Sequence, residues 1–482
     1  MKFRFFLSPA VLCAGVSCWP AHGELMSLIT APVAAMSAEA GIATTDELRP
    51  DFAIPPTPSD SLPPTISANE EVPRSILDSV GEFAPGHFKE HVESTNGKAG
   101  ARLLDRAFAE INPQELRSSY PHQAEMLDVI DTYLLNDDTR SADELSSHVA
   151  GAGVANLSMA LSGRTERYMR NLAYRSGQGL GVPSCWRTAG QASAGAKSLP
   201  PYLVWAEAEM DYHKLDGSST APGYTLNSLG GSAGVAALIG SHLTLGASLA
   251  GSSGKLRSNG YGSKASGHAD VWYAGVSMHL ESGCWQHTLV GTVGLADLRL
   301  TRSVYLPTGY RAHGSTHGLG LGFMYETSRT FDISEEHLHH ACWQPFLNVA
   351  FVHSRTDSFT EHGSDAALHV AAQNNSRIVL ALGARLLGSI DDDVFNTPAS
   401  FHLRLLGKAT LGDRHGEAEV QLPGVQTRAV VQGASQSIAG LELGGGLQFP
   451  IGNQSAFYTD ISASFSGSDY SWNGVFGYRL SF

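Results

Sequence analysis

The densest set of metal-binding side chains is Glu335-Glu336-His337-Leu338-His339-His340. Imidazoles with carboxylates suit Zn, Ni or Cu. The run falls in a predicted turn, where nothing enforces a coordination geometry, and it reads as a solvated turn. His313 and His317 are spaced i, i+4 in a predicted strand, which sets them more than ~12 Å apart, too far for one ion. Hydrolysis needs a nucleophile and a base within ~3 Å of each other. His353-Ser354 with Asp357 is the nearest grouping, but adjacent strand residues face opposite sides. Gly251-Ser252-Ser253-Gly254 reads as a strand end or loop, and no G-x-S-x-G occurs. No catalytic, cofactor-binding or metal-ligating residue is assigned, and no cofactor is expected.

The charges with informative spacing are arginines. Val154, Leu157, Leu161, Tyr168 and Leu172 recur at helical spacing, and the same stretch carries Arg164, Arg167, Arg170 and Arg175 against a lone Glu166. Residues 154–175 as a helix cover about 33 Å, enough to thread a bilayer-thick pore. Downstream, alternation puts Glu207, Glu209, Asp211, Glu442 and Asp460 on the polar parity of predicted strands, and Glu326 opposite Phe323 and Tyr325. Arginine and carboxylate can share two parallel hydrogen bonds, and charges enclosed in a narrow lumen are costly unless paired. The expectation is an arginine helix held inside a closed sheet by these acids. The alternative is hydration of each charge by lumen water.

The elements that must position these charges are strands. Tyr470, Trp472, Gly474, Phe476, Tyr478, Leu480 and Phe482 share one parity of the last stretch, with Ser471, Asn473, Val475, Gly477, Arg479 and Ser481 on the other. A transmembrane barrel turns such an aromatic face to lipid and the polar face to its lumen. Twelve strands are predicted, near 201–212, 224–239, 243–255, 267–280, 285–301, 314–328, 343–356, 374–388, 399–412, 436–449, 454–466 and 470–482. Tight links at 240–242, 281–283 and 452–453 alternate with longer ones around 256–266, 357–373 and 413–435. Short turns belong to the periplasm and long loops outside, so both ends of the barrel are periplasmic.

Before the barrel, Met1–Gly23 reads as a signal peptide: Lys2 and Arg4, an apolar run, then small residues before Glu24. Residues 24–111 read as a short, largely disordered segment rich in proline, although clusters such as Ala101-Arg102-Leu103-Leu104 could form one or two helices. Residues 112–199 read as a helical linker and pore helix. Asn112-Pro113-Gln114-Glu115 and Ser141-Ala142-Asp143-Glu144 are predicted helix starts, with Pro121 splitting the first. Residues 200–482 are the barrel. A net charge of −14 argues against nucleic-acid binding. Cys284 and Cys342 precede strands two apart, about 10 Å, and are not expected to be bridged.

Together these motifs resemble the translocator domain of autotransporters, the type V secretion family. Gly153-Val154-Ala155-Asn156-Leu157 through Arg170 is similar to its pore helix, and Leu229-Gly230-Gly231-Ser232-Ala233-Gly234-Val235 to its first hairpin. Trp343 through His353 with Phe359-Thr360-Glu361 is similar to its seventh strand and loop. The resemblance implies an all-β transmembrane barrel of 12 antiparallel strands with a lumenal α-helix, in the outer membrane of a Gram-negative-type bacterium. It implies export or anchoring of the chain's own N-terminal segment at the cell surface. Tyr478, Leu480 and Phe482 would then serve as the C-terminal assembly signal. The implied partners are outer-membrane lipid, the barrel-assembly machinery and periplasmic chaperones, with a monomer expected. The short segment before the helix departs from the family's long passengers, and the Asn-Asn pair at which some members cut themselves is missing from the helix. Asn374-Asn375 lies far away, before strand 8. The alternatives are a barrel enzyme (phospholipase or omptin-like protease) or a passive porin.

Overall fold

The computed structural model describes residues 87–178, 202–240, 242–260, 265–304, 309–333, 341–390, 399–451 and 454–482. The signal peptide, the proline-rich stretch up to residue 86 and the histidine-rich run at 335–340 lie outside the described residues.

Twelve antiparallel strands form one closed sheet: β1 (Tyr202–Leu215), β2 (Gly223–Ile239), β3 (Leu243–Asn259), β4 (Ala265–Ser282), β5 (Trp285–Val304), β6 (Tyr310–Arg329), β7 (Cys342–Thr356), β8 (Gln373–Ile390), β9 (Ala399–Gly412), β10 (Ala439–Ile451), β11 (Ser455–Ser466) and β12 (Asp469–Ser481). Each pairs with its sequence neighbours, and β12 pairs with β1 from Leu203↔Ser481 to Leu215↔Asp469. Tyr202 and Phe482 exchange main-chain hydrogen bonds of 3.1 and 3.0 Å at the end of that seam. Closure leaves no unpaired edge, the condition for a sheet to stand in hydrocarbon.

Alternation follows the expected parity. Leu403, Leu405, Leu441, Leu443, Phe476 and Phe482 are exposed on the outer face, whereas His402, Glu442, Asp460 and Asn473 are buried inside. An exposed apolar belt of this extent needs lipid, not water, around it. Trp285 and Trp343 flank the belt at the end where the sheet begins and finishes. Cys284, next to Trp285, has a free, exposed thiol, so it is not joined to Cys342, which is disulfide-bonded elsewhere. Strands β3–β6 run 17–20 residues, well past the ~9–11 needed to cross a bilayer, and project beyond the belt at the opposite, loop-bearing end.

Two long loops at that end build a second, four-stranded sheet from Phe359–Thr360, His369–Val370, Glu417–Gln421 and Ala429–Gln432. A helical cap packs on it: α1 (His87–His91), α2 (Thr95–Glu110), α3 (Pro113–Ser119), α4 (Pro121–Leu135) and α5 (Thr139–Val149). Asn112 caps α3 through the Glu115 N–H with Pro113 at the first turn, and Pro121 opens α4, as the sequence predicts. One expectation is corrected: the cap of α5 is Asp138, accepting from the Ser141 N–H, and not Ser141. Helical structure starts at His87, and the two helices α1 and α2 fall where the sequence leaves room for one or two. Phe88, Leu103, Leu104 and Ala107 are fully buried against α4, α5 and the loop sheet, which offsets the ordering entropy that isolated clusters cannot meet. Asp105 accepts the N–H groups of Phe88 and Lys89 at the start of α1, and its burial raises its carboxyl above the usual aspartate range.

Cap, loop sheet and upper barrel share one apolar core, which includes Phe88, Leu127, Leu298, Leu300, Leu368 and Val431. A buried ion pair pins it. Arg302 in β5 meets Glu361 at 2.5 Å, with side chains 3 % and 0 % exposed. Arg302 also donates to the carbonyls of His148 in α5 and Ala366, while Glu361 accepts from the Leu368 N–H. Losing one partner of such a pair strands a buried charge, at a cost of about 3–5 kcal/mol. Arg302→Met is expected to loosen the cap while the barrel still forms. Limited proteolysis should then cut within 87–149 while heat-modifiable migration persists; an equally resistant cap refutes the lock.

Candidate functional site: the helix in the barrel lumen

Gly151 adopts a left-handed conformation (φ 64°) after α5, a 3-10 turn covers Ala152–Ala155, and α6 (Asn156–Gln178) enters the lumen. Its 23 residues extend about 34 Å. The start of α6 sits at the loop end. Asn156 donates to the carbonyls of Pro222 and Gly223, Ser354 donates to Ser158 O, and Gln373 donates to Val154 O. Arg175, near the other end, reaches Glu207 close to the start of β1.

One flank of α6 is apolar and packs on a wall from which side chains have been removed. Gly318, Gly320 and Gly322 alternate along the inner face of β6. A Cβ at Gly320 would come within 2.3 Å of Thr165, and one at Gly318 within 2.8 Å of Leu161. Glycine here permits close approach of helix and sheet. Tyr168 stacks on Tyr273 of β4 at 4.7 Å and shares a 2.7 Å hydrogen bond with the Ser248 hydroxyl. Met169 and Leu172 are buried with Leu203, Trp205 and Val290.

The other flank carries charge. Arg167 pairs with Asp211, Arg170 with Glu442 at 2.6 Å, and Arg175 with Glu207 at 2.7 Å. Tyr458 donates to the same Glu207 and lies under the Arg175 guanidinium. Glu166, the helix's lone acid, joins Arg170 at 2.6 Å and Arg377 of β8 at 2.8 Å. Among the described residues, Arg164 pairs with no carboxylate. It donates to the Ala269 carbonyl and the Ser252 hydroxyl.

The remaining acids expected to hold the helix meet other partners. Glu209 takes hydrogen bonds from Asn171 and Asn473. Glu326 pairs with Arg385 of the barrel wall at 2.7 Å, and Asp460 with Arg404 at 3.1 Å and His402 at 2.7 Å. The wall therefore supplies its own cations, Arg377, Arg385, Arg404 and Lys408. The inward parity of Arg404 and Lys408 is legible in sequence, whereas their partners depend on which strands face each other. A cavity of about 330 Å³ remains beside the charged flank.

The other chemistry-bearing groups do not converge. His353 bonds Ser376 while Ser354 bonds α6, on opposite faces of β7. Ser252 points inward to Arg164, and Ser253 outward to Asp270. His317 pairs with Asp297 on the outer face, and His313 bonds Thr301.

Reversing Arg170 sets it against Glu442 beside Glu166. Arg170→Glu is expected to loosen the helix and raise single-channel conductance in planar bilayers. Adding Glu442→Arg should restore part of the closure, whereas Glu209→Arg should not. Wild-type conductance in Arg170→Glu leaves lumen hydration as the better account.

The family model of the autotransporter beta-domain matches residues 204–462. No curated protein matches the chain. Among solved structures, the translocator domain of autotransporter NalP from Neisseria meningitidis is 15 % identical, with 67 % of this chain and 98 % of that one covered, and a TM-score of 0.49. The beta domain of the Bordetella autotransporter BrkA is 15 % identical over 58 % of this chain and 100 % of that one, with a TM-score of 0.42. The transport unit of AIDA-I from Escherichia coli is 12 % identical over 66 % and 98 %, with a TM-score of 0.41. A match over more than half of the chain, coinciding with the strands β1–β11, makes this protein a member of the autotransporter family, an outer-membrane translocator barrel.

Proposed function

We propose that this barrel exports its own N-terminal segment and keeps it at the cell surface as a folded helical cap, tethered through the lumen by α6. The observation that carries this reading is the path of the chain. The cap packs on the loop sheet at one end, α6 runs down the lumen, and the barrel begins and finishes at the other end. A barrel whose termini lie in the periplasm puts the long loops, and with them the cap, outside. The cap stays attached: the Asn374-Asn375 pair lies within β8, with Asn375 buried, and not in α6.

The protein works as a transport barrel without hydrolytic chemistry of its own, and an assay with phospholipid and peptide substrates tests that. A passive porin is disfavoured because α6 occupies the lumen through side-chain pairs along its length. Its partners are outer-membrane lipid, periplasmic chaperones and the assembly machinery, which reads Tyr478, Leu480 and Phe482, and it works as a monomer. Tyr478 and Leu480 lie on the exposed outer face of β12 and Phe482, just past its end, is exposed too, open to such a reader.

With a tag placed near Ser59, protease added to intact cells is expected to remove the tag. Protection until the cells are permeabilised overturns surface display. Separately, Phe482→Ala keeps the main-chain seam to Tyr202 but removes the terminal aromatic ring. It is expected to lower the heat-modifiable barrel recovered from membranes sharply; undiminished assembly counts against the signal.

A further inference from the structure

The outer face of the barrel is not uniform around its circumference. On β8–β12 and β1 the loop-end positions of the outer face include Ile378, Leu411, Leu441, Phe465, Tyr470 and Tyr212. On β3–β6 the strands continue past the belt and become polar. Lys255 of β3 stands directly opposite His268 of β4, which stands opposite Arg299 of β5. One row further out, Arg257 faces Ser266, and beyond it Arg311 of β6 faces Ser303. All five basic side chains are exposed.

Three other cations point outward from the strands, and each has company. Lys214 pairs with Asp216, Arg355 with Asp357, and Arg329 lies over the rings of Trp285 and Phe331. Among the described residues, Lys255, Arg257, Arg299 and Arg311 make no ion pair or side-chain hydrogen bond. In the sheet register no carboxylate stands directly opposite any of the four, so none of them is neutralised across a strand pair. They become favourable once an anion lies across them.

The anion's level is set by the belt. Trp272 and Leu295, 70 % and 62 % exposed, face each other on the same strands. Both lie four residues toward the other end from His268 and Arg299, about 13 Å along a strand. An acyl chain against Trp272 and Leu295 thus brings its headgroup to the cations. Between the two levels Asp270 and Asp297 oppose each other, already accepting from Ser253 and His317 respectively at 2.6 Å.

We propose that Lys255, Arg257, His268, Arg299 and Arg311 form a docking surface for the phosphorylated headgroup of a glycolipid in the outer leaflet. The proposal rests on the reading that the loop end faces outward. It fits the charge balance, since these cations gather on one flank of a chain whose net charge is −14. Each basic side chain near a charged membrane surface adds attraction that multiplies across the cluster. A lipid held here would bear on the wall whose inner face includes the buried Leu256, Leu298 and Leu300 of the core shared with the cap.

The full-length protein, folded in detergent, is titrated with bis-phosphorylated lipid A, with the same glycolipid lacking phosphates, and with sodium phosphate. Binding is read by native mass spectrometry and by the unfolding temperature. The wild type is expected to bind the phosphorylated glycolipid selectively. Lys255→Gln/Arg257→Gln/Arg299→Gln/Arg311→Gln should weaken that binding up to roughly a thousandfold, and Asp297→Asn should tighten it. All substitutions lie on the exposed face, and heat-modifiable migration verifies folding. Equal affinity of the quadruple variant, or equal binding of the phosphate-free glycolipid, overturns the proposal, as does binding of free phosphate alone. Orientation is tested apart, with Lys255→Cys in a Cys284→Ser background and a membrane-impermeant maleimide on intact cells. Labelling without selective binding sinks the lipid site and leaves the orientation standing. Selective binding in detergent without labelling overturns the orientation and the membrane role together.

Discussion

The pairing of β12 with β1 is the constraint on which everything else depends. Its thirteen aligned residue pairs, finishing in the Tyr202–Phe482 main-chain bonds, turn an open sheet into a barrel. An open sheet would present unpaired peptide groups to lipid, at several kcal/mol each in a medium that offers no replacement partner. Closure also creates an inside. Only then can one parity of each strand be polar at acceptable cost, and only then does an arginine-bearing helix have an enclosed place to go.

Inside, the two flanks of α6 are held by different physics. Toward β6 the sheet gives up side chains, and Gly318, Gly320 and Gly322 let the helix settle against the wall with Leu161 and Thr165 in the space released. Toward β1 and β8–β11 the contact is electrostatic and reaches across a cavity, with Arg167, Arg170 and Arg175 each meeting a carboxylate. Removing two charges from water is expensive, so these pairs specify position more than they add stability. Such an arrangement defines how deep the helix sits and which way it faces, while leaving one side wet.

At the loop end the barrel does not stop at the membrane. The extended strands, the loop sheet and the cap helices bury one another, and no part of that core is complete without the others. Asn96 shows this locally. Its amide donates to the carbonyls of Thr220 and Gln432 and accepts the Gln432 N–H, so a cap side chain satisfies the edge of the loop sheet. Arg302 and Glu361 do the same with charge, linking α5, β5 and a loop in one buried cluster.

The sequence alone determined whatever depends on period. Alternation at Phe401–Leu411 and Leu441–Phe449 assigned faces correctly, and the twelve predicted strands occur in order, because a side-chain period of two is a property of the strand itself. Helical spacing located α6, and Asn112-Pro113 located the start of α3, because capping is likewise local. Partnership was decided by the tertiary structure. Glu209 lies on the expected face, yet it meets Asn171 and Asn473; Glu326 meets Arg385, eight residues into β8 from Arg377. Which charge answers which depends on the shear of the barrel and the rotation of the helix, and neither is written in any one segment. What residues 87–110 pack against was decided the same way. Phe88, Leu103 and Leu104 lack enough apolar neighbours in sequence to fold, and find them only in α4, α5 and loops more than two hundred residues away.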